Sequence, residues 1–545
     1  MDATDVTVTD YDESSQIPFD VFRRRWVILG VLCMSLIIIV LGNTSLNVAM
    51  PRMSEALGLT NSQQQWVVDA YALIFAGMLF TAGTLGDRFG RKGFMQAGIA
   101  VFGAASAYAT FFADSAAEVI GSRALMGIGG ALVMPATLSI LVNTFPANER
   151  AKAIGIWSGI AGGGGALGLV LGGWLVEHFW WGSAFAINVP VAIIALVLGA
   201  KLVPSSKDHH PSKLDPVGAV LSMAGLGLFV YGLIEAPQWG WGSATSLGVI
   251  GAGIAALTIF VLWELRNSSP MIDVRLFKDR RFGVSSIGMT LVFLTMFGFF
   301  FVVSQLFQLV LGYGSFESGL RMLPIMPVLI IVSTRAASLV EKLGARTVVT
   351  TGMLLTAAGV FILSFLTPAS GYGHVLLGMI VMGSGMGLTM TPMTELIMSS
   401  VPRDKAGVGS AMNDTTREVG TTLGVAVLGS ILSSGYTSNL GSVVAGLPDA
   451  ARQTAQGSLA GALGVGRQIG GTQGAAIIDA AKSAWTDGLQ LSMFVGTAIV
   501  LLAAVIAARY LPRKADGVAD GAIDLDGFTD DVSGELDAFA VSAGD

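Results

Sequence analysis

Charge is scarce in this chain: Asp, Glu, Lys and Arg make up 12% of 545 residues, against 53% hydrophobic side chains. Soluble domains carry about a quarter charged residues, so a water-facing globular surface is excluded and a polytopic membrane protein is implied. Cysteine is scarcer still. Cys33 is the single one and lies inside an apolar run, which excludes an intramolecular disulfide and leaves a packed side chain. The four histidines are scattered, no Cys/His metal spacing occurs, and no Gly-rich phosphate loop precedes a Lys-Ser/Thr pair. These absences argue against a metal-dependent or ATP-driven machine and leave no soluble-type catalytic centre. The first 20 residues hold six acids and no base, which is wrong for a cleaved signal peptide. The first apolar run is therefore its own insertion signal.

What the chain does have is length without charge. Apolar runs long enough to span hydrocarbon recur near 27–50, 65–84, 93–112, 117–143, 153–175, 183–203, 217–236, 245–265, 284–307, 319–340, 348–367, 374–399, 407–433 and 488–511. With both termini in the cytosol, only Arg52, Arg321, Arg452, Arg467 and Lys482 fall in outer segments. Removing one run would invert every later loop and destroy that cationic asymmetry, so fourteen spans fit better than twelve or thirteen. The expected organisation is an acidic, disordered tail over 1–26 and a six-helix unit over 27–203. Linkers and two inserted helices follow over 204–283, then a second six-helix unit over 284–511 with an outer loop at 434–487, and a disordered acidic tail over 512–545.

Two units are expected because the chain repeats itself. The segment Gly83-Thr-Leu-Gly-Asp87-Arg88-Phe-Gly90-Arg91-Lys92 returns 254 residues later as Ala337-Ser-Leu-Val-Glu341-Lys342-Leu-Gly344-Ala-Arg346. Met126-Gly127-Ile-Gly129 returns as Met382-Gly383-Ser-Gly385, Pro146 as Pro402, and Gly164 and Gly168 as Gly420 and Gly424. Parallel repeats of this kind are a transporter architecture.

Three patterns carry the functional reading. The Gly83–Lys92 segment is a charged hairpin between two spans, in which glycines allow a tight turn, Asp87 can accept from nearby helix N-termini, and Arg88, Arg91 and Lys92 hold the loop in the cytosol. It is either a plain cationic anchor or a conformational latch. In the fifth run, Gly155-x8-Gly164-x3-Gly168-Leu169-x2-Gly172-Gly173 spaces small residues for close helix approach. Ionisable groups within spans are the third, because each is costly there and is a functional candidate by default. They are Asp69, Arg123, and the Asp414, Arg417 and Glu418 group, with Glu395 and Arg335 nearer helix ends. Asp414 and Glu418, four apart on one helix face, repel when both are ionised, which favours proton binding by one of them. Alternatively Arg417 neutralises Asp414.

The hairpin matches the loop signature G-x-L-a-D-r-x-G-r-k of the major facilitator superfamily, and the fifth run resembles that superfamily's antiporter signature, with Leu169 in place of its proline. Trp66-x2-Asp69, the pair Asp414 and Glu418, and Leu41-Gly42-Asn43-Thr44-Ser-Leu-Asn47-Val-Ala-Met50-Pro51 resemble the fourteen-helix drug:proton antiporters of the quaternary-ammonium resistance type; Gly42 replaces an acid of that family. The resemblance implies an all-α major facilitator fold with fourteen transmembrane helices, two six-helix repeats and two inserted helices. It implies a secondary exporter in the cell membrane, not an enzyme, that exchanges protons for amphipathic, cationic compounds and uses the proton-motive force with no cofactor. Proton coupling would fall to Asp69, Arg123, Asp414 and Glu418. Substrate contact would fall to Asp69 and Asp414 with Trp66, Tyr71, Asn47 and Gln308. The expected partners are small substrates, protons and the bilayer, with no nucleic acid, for a protein expected to be a monomer. Export of a native lipid or secondary metabolite, and a non-transporting sensor or scaffold, are the competing readings.

Overall fold

The computed structural model describes residues 17–207, 215–267, 270, 272, 274–401 and 406–512, and among them every regular element is helical. The helices are α1 (Phe19–Leu57), α2 (Asn61–Phe89), α3 (Arg91–Phe111), α4 (Ala116–Thr144), α5 (Ala147–His178), α6 (Ser183–Leu202), α7 (Pro216–Trp239), α8 (Ala244–Arg266), α9 (Arg280–Val310), α10 (Ser315–Leu343), α11 (Ala345–Leu363), α12 (Tyr372–Ser399), α13 (Ala406–Val444) and α14 (Gly471–Tyr510). Thirteen are long and apolar enough to cross a membrane. The other, α5, has 32 residues and is long enough to do the same. The ends of the bundle are called here the terminal face, where α1 begins and α14 ends, and the distal face opposite.

Packing within α1–α6 is copied within α9–α14. The pairs α1/α5, α2/α4, α3/α4, α3/α6 and α1/α6 have counterparts in α9/α13, α10/α12, α11/α12, α11/α14 and α9/α14. Small residues make the copies possible. A Cβ on Gly98 of α3 would lie 2.6 Å from the Gly129 carbonyl of α4, and one on Gly352 of α11 would lie 2.7 Å from the Gly385 carbonyl of α12. The hairpin repeats as geometry too: Gly90 has φ +121° and Gly344 has φ +82°, conformations that a side chain strains. The inserted pair α7/α8 packs by α7 against α2 and α13.

Two expected boundaries move. Helix α1 starts at Phe19, with Arg24 bonded to Asp20 and Arg25 paired to Glu149 of α5, so the cationic residues before position 27 are already helical. The expected outer loop at 434–487 is almost wholly helical: α13 runs on to Val444, α14 starts at Gly471, and the short helices Asp449–Gly457 and Leu459–Ile469 lie between them. The buried Tyr436 hydroxyl donates to the carbonyls of Ala455 and Ser458 and ties these pieces to α13. Alanine in this stretch costs a helix nothing, so low side-chain complexity here was no sign of a loop. The outer parts of both tails, most of the 204–216 linker and Pro402 lie outside the described residues.

The fifth-run glycines do close-packing work. A Cβ on Gly172 would sit 2.6 Å from the Ser45 Cβ of α1, and one on Gly173 would sit 2.8 Å from the Ser315 carbonyl of α10. Gly172→Val is therefore expected to force α1 from α5, destabilising by about 1–3 kcal/mol as overpacking does. Gly30→Ala, with nothing within 4 Å of the added carbon, is the matched control. Thermal unfolding in detergent checks this, and a Gly172→Val protein as stable as the control would refute the close-packing role.

Candidate functional site

The interior is built around Arg123. It is 1% exposed, and its guanidinium gathers three helices. Nε donates to the Val67 carbonyl of α2 at 2.9 Å, one terminal nitrogen to Asn43 Oδ1 of α1 at 2.9 Å, and the other to the Gly42 carbonyl at 3.4 Å. Tyr71 lies beneath it, 4.5 Å from Cζ to ring centroid, stacked in turn on Phe75. A rigid planar fork suits three acceptors at fixed angles in a way a lysine does not. Gly42 now has a local cause: a Cβ there would meet the buried Phe102 ring at 2.8 Å and the Asn188 amide at 3.3 Å. The space that an acid would occupy is already filled.

Across the interior, α13 presents Asp414 and Glu418. Glu418 lies within electrostatic reach of Asp414, Arg417 and Arg123, so charge in the two repeats is coupled through it. Arg417 does not form an ion pair with Asp414 among the described residues. It donates to Thr394 Oγ1 of α12 at 3.0 Å and lies over the Phe293 ring at 5.6 Å, while remaining within electrostatic reach of Asp414. Glu395 and Arg335 are exposed.

Asp69 stands apart from this group. Asp69 is 0% exposed, and neither of its carboxylate oxygens has a hydrogen-bond partner. Its neighbours on the same strip of α2 point at two other helices. Gln65 accepts from Ser430 of α13, Ser62 donates to the Ile234 carbonyl of α7, Trp66 donates to Glu235 of α7, and Leu73 touches Gly227 of α7. Helix periodicity therefore sets Asp69 on the strip of α2 that faces α7 and α13. An ionised carboxylate buried without donors or a cation is among the most costly groups a protein can hold.

The remaining candidates separate. Trp66 joins an aromatic row with Tyr231 at 5.8 Å and, beyond it, Trp239 at 5.3 Å. Asn47 is half-buried on α1, its amide 3.5 Å from the Asn43 carbonyl. Gln308 occupies a wide π-turn, Leu306–Val310, at the end of α9. Its Nε2 donates to the Val48 carbonyl of α1 at 2.9 Å and its Oε1 accepts from Ser315 of α10, so it fastens helices together. Asp87 pairs with Arg91 at 2.6 Å rather than with a helix N-terminus, while the Arg91 amide and Lys92 ammonium donate to the carbonyls of Ser206 and Ala200 at the end of α6. Arg88 and Gly90 complete the turn, and Gly83 lies against Pro135 of α4. Gly155, Gly164 and Gly168 lie on α5, with Gly164 and Gly168 against Val40 and Thr44 of α1. Glu235 is the residue that reading the sequence missed. Its signal was an acid inside the apolar run 217–236.

The two repeats meet on one side. Asn61–Ser433 at 3.3 Å, Gln65–Ser430 at 3.2 Å, Val48–Gln308, the Phe316 amide on Glu177 at 2.7 Å, and the ion pair Glu55–Arg467 all lie at or near the distal face. The polar contacts that join the two repeats gather at the distal face.

A sequence profile described as the Major Facilitator Superfamily matches residues 32–425. The chain is 35% identical over 484 residues to the multidrug efflux pump LfrA of Mycolicibacterium smegmatis, covering 89% of this chain and 95% of that one. It is 32% identical to the tetracenomycin C resistance and export protein of Streptomyces glaucescens, covering 90% and 92%, and 33% identical to the methyl viologen resistance protein SmvA of Salmonella typhimurium, covering 88% and 97%. Among solved structures, the fold is similar to an inward-facing, unoccupied bacterial homologue of the human lysosomal transporter Spinster, with a TM-score of 0.63 at 19% identity over 89% and 96% of the chains. A D-xylose-proton symporter gives 0.58 at 16% identity over 90% and 98%.

Proposed function

The chain belongs to the Major Facilitator Superfamily, and we propose that it is a proton-coupled exporter of amphipathic, cationic compounds across the cell membrane by alternating access. Similarity along almost the full chain, at 32–35% identity, to an efflux pump and two resistance proteins carries this reading. The terminal face is cytosolic, in keeping with the positive charge of its loops. A carrier whose repeats are joined distally is then open to cytosolic substrate. Protons act as the counter-ligand: Glu418 and Asp414 take them from outside and release them inside, while Arg123 supplies the fixed positive charge that their ionised forms face. Asp69, buried with no partner, is the group on which a cationic substrate has most to offer. Proton and cation then compete for carboxylates, which gives exchange rather than co-transport. Efflux of a fluorescent cationic dye from energised cells, with and without a protonophore, tests the proposal; efflux indifferent to the protonophore would overturn it.

A second reading is export of a less charged secondary metabolite. The observation in its favour is Gly42, where Phe102 fills the space of an acid. Asp69→Asn separates the two. Because the side chain has no donor to lose, the variant is expected to unfold at the wild-type temperature while its apparent affinity for cationic dyes falls at least about tenfold, as loss of a buried counter-charge does. Neutral substrates should be unaffected. Undiminished affinity for cationic dyes would remove Asp69 from the substrate path.

A further inference from the structure

At the terminal face the ends of α9, α11 and α14 enclose an open cavity of about 450 Å³. Its wall carries Arg280 and Arg281 from α9, Arg346 from the first turn of α11 and Arg509 from the last turn of α14, with Tyr510 and one acid, Asp279. The acid is engaged: Asp279 caps α9 by accepting from the Arg281 amide at 2.7 Å. Among the described residues Arg280, Arg346 and Arg509 have no carboxylate within ion-pairing distance. A neighbouring cleft of about 390 Å³ shares Arg346 and is lined by Thr350, whose hydroxyl is buried without a hydrogen-bond partner. Exposed Leu343 and Tyr510 flank the two.

We propose that this cavity binds the headgroup of an anionic phospholipid from the adjoining leaflet. Retaining cationic loops requires only that arginines reach water. It does not require four of them, from three helices, to converge on one concavity beside an unpartnered hydroxyl. Guanidinium groups match phosphate oxygens in pairs, the first turns of α9 and α11 add their amide dipoles, and the apolar flank suits an acyl chain. The acidic segment 515–545, with nine acids and no base, is a rival occupant by charge alone, but it has no acyl chain for that flank.

The test uses full-length protein in detergent with added phosphatidylglycerol, measuring apparent affinity from the rise in unfolding temperature. At about fivefold per arginine near an anionic surface, the Arg280→Gln, Arg346→Gln, Arg509→Gln triple variant is expected to bind on the order of 100-fold more weakly. An Arg23→Gln, Arg24→Gln control at the start of α1 should bind as wild type. Equal loss in the control would reduce the effect to general surface charge and overturn the site, as would full affinity in the triple variant. Glycerophosphate and inorganic phosphate should protect only weakly; protection matching the lipid's would make this a free-phosphate site and overturn the lipid assignment. Removal of residues 515–545 should leave the lipid effect unchanged, whereas a lipid effect seen only after removal would give the cavity to the tail. If the triple variant does not fold, Arg346→Gln alone, expected to bind about fivefold more weakly, decides in the same assay.

Discussion

Glu418→Gln is expected to abolish proton-driven efflux of every substrate while leaving substrate-for-substrate exchange intact. Glutamine has the shape of the protonated acid and cannot release the proton, so the residue within electrostatic reach of Asp414, Arg417 and Arg123 alike is fixed in one of its two states. A gradient of one pH unit supplies about 1.4 kcal/mol per proton, enough to hold roughly a tenfold substrate gradient. Proteoliposomes carrying the variant should sustain no gradient under the same imposed pH difference, yet labelled dye should still exchange for unlabelled dye. Should the variant couple dye and proton fluxes at the wild-type ratio, the proton is carried elsewhere and α13 is not the coupling helix.

Replacing Arg123 is expected to be the most damaging structural change. Arg123→Gln leaves the carbonyls of Val67 and Gly42 and the Asn43 oxygen short of donors in the interior, each unsatisfied group costing about 1–3 kcal/mol. Arg123→Lys keeps the charge but loses the fork, and should also lower the unfolding temperature measurably. If both variants unfold with the wild type, Arg123 does not hold α1, α2 and α4 together. If only the glutamine variant is unstable, charge rather than geometry is what that site requires.

Much of this was readable from residues alone, and the failures have physical causes. The spans and hairpins follow from hydrophobic length and the placement of cations, which a bilayer enforces locally. The repeat emerged because the same turns need the same glycines, Gly90 and Gly344 among them. Asp69 was recognisable as costly, but its direction depended on which helices flank α2, and the α7/α8 insertion supplies one of them. Gln308 was expected to touch substrate; its position in a π-turn, donating to the backbone of α1, is a tertiary fact with no local signature. Gly42 could be seen as a missing acid, but only the packed Phe102 explains why.

The distal seam sets a scale for the transport cycle. Besides close packing of Gly173 and Leu169 of α5 against α10, its polar part is a handful of mostly neutral hydrogen bonds and one ion pair with partly exposed side chains, Glu55–Arg467. Such bonds contribute about 0.5–1.5 kcal/mol each and such a pair less than about 1. The polar part of the clasp is then worth roughly 5 kcal/mol, of the same order as the free energy released when one or two protons cross an energised membrane. These bonds can be undone once per turnover by the ion the protein exchanges, with no need of a nucleotide.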